Sequence, residues 1–93
     1  MATGTDTIDF GATPTDSATK LVTGLSGLTV NSHLEAFMQG SDSTADNSAD
    51  AHQQLAMRSN FYCEYVSVNS MNIVADVLIG FVTGTFTVHY ATA

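Results

Sequence analysis

Apolar and polar residues alternate along several stretches of the chain, which is the pattern of strands with one face in a core. The clearest case is the segment 82–90, in which positions 83, 85 and 87 are all threonine. Alternation predicts strands over residues 7–12, 17–23, 30–39, 53–65, 71–79 and 82–90. Glycines and one proline separate these strands, and no segment has a convincing helical pattern. The sequence therefore predicts an all-β fold, a single small antiparallel β-sandwich or barrel.

Residues 40–52 interrupt the alternation. Most of this segment consists of Gly, Ser, Thr, Asp, Asn and Ala, which satisfy local backbone groups and bury little apolar area. The segment therefore predicts a long acidic loop. A short helix that begins at a Ser48 cap is an alternative, because residues 49–58 include good helix formers. The alternation across 53–65 favours a strand over that helix.

The length and composition of the chain predict one small domain that cannot bury all of its apolar surface. A chain of 93 residues provides one domain, assigned to residues 6–93, after a flexible N-terminal arm of residues 1–5. Its residues are 44% hydrophobic and only 12% charged. A domain of this size hides only ~60–65% of the surface that its unfolded chain exposes. We therefore expect other protein molecules to cover part of the apolar surface.

The charge of the chain excludes two classes of partner. The formal net charge is −7, and Lys20 and Arg58 are the only fixed cations in the sequence. Binding to nucleic acid or to an anionic membrane requires clustered Lys and Arg, so neither is an expected partner. The lone Cys63 cannot form an intrachain disulfide. Neither a signal segment nor an apolar run of membrane-spanning length is evident, so we expect assembly in a reducing cytoplasm.

A metal site is the sharpest chemical hypothesis that the sequence offers. His33 and Glu35 lie two residues apart on one strand face, and the loop's aspartates, Asp50 among them, could fold beside them with His52. Imidazole and carboxylate ligands suit zinc or a similar ion. However, the loop lacks the ligand spacing of a calcium-binding EF-hand, and a polar strand face beside a solvated loop is the favoured interpretation. We therefore predict no metal and no cofactor.

The sequence contains no motif that predicts catalysis. No Gly-x-Ser-x-Gly turn frames a serine, and neither a phosphate-binding Gly-rich loop nor a dinucleotide fingerprint is present. Cys63 falls on the apolar side of its strand, where a thiol packs as a small hydrophobe without positive neighbours. His89 lies among threonines and is interpreted as an ordinary surface histidine. We predict no catalytic residue and no enzymatic activity.

Apolar residues that a small sandwich would leave uncovered are the best functional clues in the sequence. Phe37 falls on the polar side of its strand, and Phe81 has no evident place in a core. Residues 71–79 are apolar on both faces, as in a strand that is central or that contacts another subunit. We therefore predict an interface with other protein molecules. Its predicted residues are Phe37, Val74, Leu78 and Phe81.

Five short motifs, taken in order, resemble small β-sandwich structural proteins encoded among the virion genes of tailed phages and prophages. They are TIDFG (7–11), SHLEAF (32–37), STAD (43–46), DAH (50–52) and TGTFTVHYATA (83–93). The chain departs from those proteins in its more apolar segment 61–79, and in having Phe86 and Tyr90 where they often carry Trp. No functional residue is carried over from them.

The resemblance implies a virion structural protein, assembled in the host cytoplasm, that decorates or cements the capsid surface or acts between head and tail. Its expected partners are copies of itself, with a trimer as the favoured homo-oligomer, and other virion proteins such as the major capsid protein. The alternative is a tail-tip or fibre module that binds a host receptor, with the loop at 40–52 as its recognition element.

Overall fold

Six strands and one helix make up the computed structural model, which describes residues 2–93. In chain order they are β1 (Ala2–Asp9), β2 (Ser17–Val22), β3 (Leu34–Phe37), α1 (Ala49–Met57), β4 (Ser59–Ser67), β5 (Ser70–Val77) and β6 (Thr85–Thr92). The strands pair in two antiparallel sheets, with the orders β1–β6–β3 and β2–β5–β4. The sheets pack into one small all-β sandwich, which confirms the predicted fold class.

The core lies between the sheets and takes its largest share from the two central strands. One cluster of buried residues includes Met71 and Ile73 of β5, Phe86 and Val88 of β6, and Ile8 of β1. All five side chains are buried. Because side chains in a strand point alternately to opposite faces, the alternation read from the sequence gives the inward residues of β6 correctly.

The central strand β5 is buried on both faces, as its doubled apolar pattern indicates. Val74 points to the outer face but is only 9% exposed, because Thr19 of β2 and Tyr62 of β4 flank it in register. Little of Val74 is therefore left for the interface predicted for it. Leu78 lies beyond the end of the strand and is exposed.

Residues 2–5 do not form the predicted flexible arm, because they are the first half of β1. Their backbone pairs antiparallel with the last four residues of β6. Threonine favours strands, and Gly4 lets the Tyr90 side chain cross close to the β1 backbone, since a Cβ at this position would overlap that side chain. Met1, the first residue of the predicted arm, lies outside the described residues.

The acidic loop is shorter than predicted, because its second part is helical. Residues 49–57 form α1, which overlaps both the loop predicted at 40–52 and the strand predicted over 53–65. The Ser48 side chain caps the helix by accepting a hydrogen bond from the Ala51 N–H at 3.2 Å. α1 is nine residues long, and no helix that the structure describes is long and apolar enough to cross a membrane.

One face of α1 is buried, and this contact explains why a helix forms here instead of a strand. His52 and Leu55, three residues apart, lie on that face and are fully covered. Met57 is 87% exposed, whereas the alternating pattern placed it on the same side as Leu55. β4 starts at Ser59, so only the second part of the predicted strand is correct.

β3 is much shorter than the strand predicted over residues 30–39. A turn precedes it, in which the Ser32 hydroxyl accepts from the Thr29 N–H at 2.9 Å and the Ser32 N–H donates to the Thr29 carbonyl oxygen at 3.0 Å. The four residues of β3 pair only with the last four residues of β6. The first half of β6 therefore has no strand on this side, and its backbone needs other partners.

Candidate functional site

Side chains from the segment around the start of α1 complete the open edge of β6. The Asp46 carboxylate accepts from the Thr85 N–H at 2.9 Å, and His52 Nε2 accepts from the Thr87 N–H at 2.9 Å. Asn47 Nδ2 donates to the Thr85 carbonyl oxygen at 2.9 Å. Such partners are what unpaired backbone groups at a sheet edge require. We call the arrangement of Asp46, Asn47 and His52 on β6 the polar clamp.

His52 is a buried histidine whose two ring nitrogens both have partners. Nδ1 lies 2.9 Å from the Ser48 carbonyl oxygen, which can only accept, so Nδ1 carries the proton. Nε2 accepts from the Thr87 N–H, which fixes the neutral tautomer. The ring also packs on Phe86, with 5.0 Å between ring centroids. Since Nε2 already accepts a hydrogen bond, His52 has no nitrogen free to bind a metal.

The Asp46 carboxylate is held by several donors at once. Its Oδ1 lies 2.6 Å from the Thr85 hydroxyl and 2.9 Å from the Thr44 hydroxyl. The Thr85 hydroxyl, the Thr85 N–H and the Thr44 hydroxyl, in decreasing order of effect, lower the pKa of Asp46 from 3.8 to about 2. Gly84 has a φ of 83°, and a Cβ there would overlap this carboxylate, so the polar clamp needs glycine at that position.

Asp46→Asn is expected to reduce the acid sensitivity of the fold. The folded pKa of about 2 lies below the unfolded value of 3.8, so the carboxylate stabilises the fold fully above the unfolded pKa. This contribution is lost as the pH falls through the folded pKa. The variant should therefore be less stable than the wild type at neutral pH, and the difference should shrink over that acid range. Urea denaturation at a series of pH values measures it.

Asp16→Asn is the matched control for this prediction. The Asp16 side chain is exposed and has no partner among the described residues. Its replacement removes the same charge without removing a side-chain hydrogen bond, so stability at neutral pH should stay close to that of the wild type. A stability difference between wild type and Asp46→Asn that stayed constant from neutral pH to pH 2 would contradict the assigned role of the carboxylate.

His89 is not the ordinary surface histidine that its position among threonines suggested. Its Nε2 lies 2.7 Å from Asp42 Oδ2, and both side chains are largely covered. The Phe37 ring stacks on the imidazole at 16°, with 5.6 Å between ring centroids. Phe37, one of the predicted interface residues, therefore already packs on a side chain of its own chain, although 42% of its surface is exposed.

The residues considered for a metal site do not come together. His33 and Glu35 form an exposed pair, with Nε2 and Oε2 3.3 Å apart. Asp50 lies in the first turn of α1, where Gln54 Nε2 is 3.4 Å from its Oδ2, and His52 is buried in the polar clamp. Within residues 2–93, no three His, Cys, Asp or Glu side chains are grouped so that they could hold a metal ion.

Cys63 has the environment of a packing residue. It lies in β4 against the core and is partly buried. Burial, with a smaller contribution from the negative charge of Glu35, raises the pKa of the Cys63 thiol to about 11. The thiol therefore stays protonated at neutral pH and is a poor nucleophile.

A second candidate site is a group of exposed apolar side chains where α1 ends and where the chain leaves β5. We call it the apolar tip, and its members are Met57, Leu78 (62% exposed), Ile79 (73%) and Phe81 (66%). Single exposed apolar residues are common, but four on two adjoining segments form a patch typical of an interaction surface. Leu78 and Phe81 are among the predicted interface residues. Met57 and Ile79 were missed, because the alternation assigned both to core-facing sides of strands.

Arg58 joins the two segments of the apolar tip. Its carbonyl oxygen accepts from the Leu78 N–H at 2.7 Å, and its Nη1 donates to the Ile79 carbonyl oxygen at 3.1 Å. Gly80 leaves room for the guanidinium, since a Cβ at that position would lie 2.8 Å from Nη1. The Nε atom is buried without a hydrogen-bond partner, and Arg58 forms no ion pair with any described residue.

No protein-family model, curated protein or solved structure matches this chain. Of the two sites, the polar clamp uses its side chains in hydrogen bonds to the backbone of β6, whereas the apolar tip directs its side chains to solvent. The apolar tip is the better candidate for contact with another molecule.

Proposed function

We propose that the chain is a structural protein of a phage virion, located on the capsid surface or between head and tail, and that it acts by binding other proteins. The apolar tip is the observation that carries the binding role. The virion assignment is supported by the resemblance of five ordered motifs, the first at 7–11 and the last at 83–93, to small virion proteins. The proposed partners are copies of the chain and other virion proteins such as the major capsid protein.

The size of the apolar tip indicates what it can contribute to binding. Fully burying one large apolar side chain contributes about 1.5–3 kcal/mol. Four such side chains, already partly covered, would contribute about 5–8 kcal/mol on this scale. Association itself costs an estimated ~4–15 kcal/mol in lost translational and rotational freedom. The tip is therefore the centre of a larger contact, and a stable interface of this kind buries about 1,200–2,000 Å².

The alternative of a tail-tip or fibre module depends on the loop at 40–52 as the recognition element. Asp42, Asp46 and His52 in that segment all bond to β6. These contacts favour a structural role for the segment. Virion decoration through the apolar tip is therefore the function that we propose first.

Phe81→Ser is expected to weaken self-association of the chain at least about tenfold in Kd, because it removes the largest side chain of the apolar tip from the contact. Sedimentation velocity over a range of concentrations measures this. Because Phe81 is 66% exposed, the thermal unfolding midpoint of the variant should differ little from that of the wild type. The matched control is Val68→Ser, which removes a similarly exposed apolar side chain at the opposite end of β5.

Two results would contradict the proposal. One is a Phe81→Ser variant that binds copies of itself and purified virions as strongly as the wild type does. The other concerns location, and it is tested by mass spectrometry of virions purified from cells that produce them. Absence of the chain from such particles would exclude the virion role.

A further inference from the structure

The Arg58 guanidinium brings a positive charge to the apolar tip without a carboxylate to balance it. Lys20, the other fixed cation, lies 3.6 Å from Asp6 Oδ1. A cleft of about 210 Å³ opens beside Arg58 and is also lined by Gln54 and Phe81. A partly buried guanidinium without an anionic partner is unfavourable, and a carboxylate from another molecule would pair with it. The molecule that covers the tip should therefore present a carboxylate beside apolar side chains.

The outer face of the β2–β5–β4 sheet has this combination. Leu21 and Tyr62 point outward there, and each has about half of its surface exposed. Glu64 lies on the same face, level with Leu21 across the sheet, with β5 between their two strands. Asp76 of β5 supplies a second carboxylate on this face. Neither carboxylate has an ion-pair partner among the described residues. No Lys or Arg of the three strands points to this face.

We infer that the apolar tip of one copy docks on the outer face of the β2–β5–β4 sheet of a second copy, with Arg58 opposite Glu64. This inference rests on the proposed function, because it specifies how the chain binds copies of itself. Apolar side chains meet apolar side chains across the contact, and the unpaired cation of one copy meets an unpaired anion of the next.

Other arrangements of two copies satisfy these charges less well. A symmetrical contact between two tips would bring two Arg58 guanidinium groups together in an apolar environment, where like charges repel strongly. The outer face of the β1–β6–β3 sheet is partly covered by the segment that carries Asp42 and Asp46. Of the two outer sheet faces, that of β2–β5–β4 is the one left open.

A contact between two different surfaces is heterologous, so each copy in a pair keeps one free tip and one free sheet face. Such contacts close into a ring when the rotation between neighbours allows it, and otherwise extend as a filament. A closed ring of three copies would account for the expected trimer.

Charge reversal on the two surfaces tests the pairing. Arg58→Glu and Glu64→Arg should each weaken self-association at least about tenfold, because each places like charges opposite one another. The double variant R58E/E64R exchanges the charges and should recover association to within about threefold of the wild type. An equimolar mixture of the two single variants should also associate in pairs, since the tip of each variant then meets an opposite charge on the sheet face of the other. Sedimentation equilibrium measures all four.

Glu35→Arg is the matched control, because it makes the same charge change at an exposed position of the other sheet. Glu64→Arg is the decisive variant if Arg58→Glu lowers stability, since Arg58 also holds the Ile79 carbonyl oxygen. The inference is overturned if Glu64→Arg associates as well as Glu35→Arg does, or if the wild type stays monomeric. The proposed function then still stands if Phe81→Ser loses binding to virions, so the two failures are distinguishable.

Discussion

His52→Ala is expected to lower the free energy of unfolding by about 3–5 kcal/mol, among the largest effects of any single substitution in this chain. The substitution leaves a cavity against Phe86, which packs on the imidazole ring. It also leaves the Thr87 N–H without its acceptor and the Ser48 carbonyl oxygen without the Nδ1 donor. A buried N–H without a partner costs about 1–3 kcal/mol by itself. Since native proteins are stable by only about 5–15 kcal/mol, the loss is a large fraction of the total stability.

Urea denaturation at a fixed temperature and neutral pH measures the effect. His33→Ala is the matched control, because the His33 side chain is exposed and, among the described residues, its ring bonds only to the Glu35 side chain. Its expected cost is below about 0.5 kcal/mol. His52→Gln separates the two causes, since a carboxamide can still donate and accept but fills less of the space beside Phe86. Equal stability of His52→Ala and His33→Ala would show that the polar clamp does not hold the sheet edge.

The fold class and the inward faces of the strands could be predicted from the sequence, because strand geometry is local. Side chains point alternately to the two faces of a strand, so apolar alternation marks the buried positions without knowledge of the partner strands. Phe86 and Val88 of β6 were identified in this way. The apolar pattern on both faces of residues 71–79 left a central strand and a subunit contact as alternatives, and β5 is the central strand of its sheet. Such a pattern requires only that one face of each strand be buried.

The helix and the polar clamp could not be predicted in the same way, because both depend on distant contacts. A helix of nine residues is marginal by itself, and α1 is held by two buried side chains, His52 and Leu55. The Ser48 cap was visible in the sequence, but the alternation over residues 53–65 favoured a strand over a helix. The clamp joins Asp46 to Thr85, which is 39 residues further along the chain, and only the folded chain brings them together.

The exposure of the residues predicted for an interface could be read from the sequence only in part, because exposure depends on neighbouring strands. Leu78 and Phe81 lie in the connection after β5, where no strand covers them. Val74 lies inside β5, where Thr19 and Tyr62 cover it in register. The register between strands is set by packing and turns, and the apolar pattern of one strand alone does not reveal it.

The polar clamp and the apolar tip meet on α1. His52 and Leu55 attach the helix to the sandwich, while Met57 and Arg58 at its end contribute to the apolar tip. Stability and the proposed binding role therefore depend on different residues only a few positions apart. This arrangement allows one matched pair of substitutions to separate them.

Leu55→Ala is expected to destabilise the chain by about 2–5 kcal/mol, because Leu55 is fully buried and its truncation leaves a cavity under α1. Hydrogen exchange should accelerate across the helix before the strands are affected, since a helix this short depends on its packing contacts. Met57→Ala, two positions away, removes an exposed side chain and should change stability by less than about 0.5 kcal/mol.

The same two variants should have the opposite order of effects on binding. Met57→Ala removes part of the apolar tip and should weaken self-association in sedimentation experiments, although the fold remains intact. Leu55→Ala should weaken association only under conditions in which α1 is undocked, because Leu55 does not reach the surface. Two results would mean that the end of α1 serves the fold and not the contact. One is a loss of stability in Met57→Ala, and the other is a Met57→Ala variant that associates as strongly as the wild type. Loss of association with full stability would instead place Met57 in the interface, beside the unpaired guanidinium of Arg58.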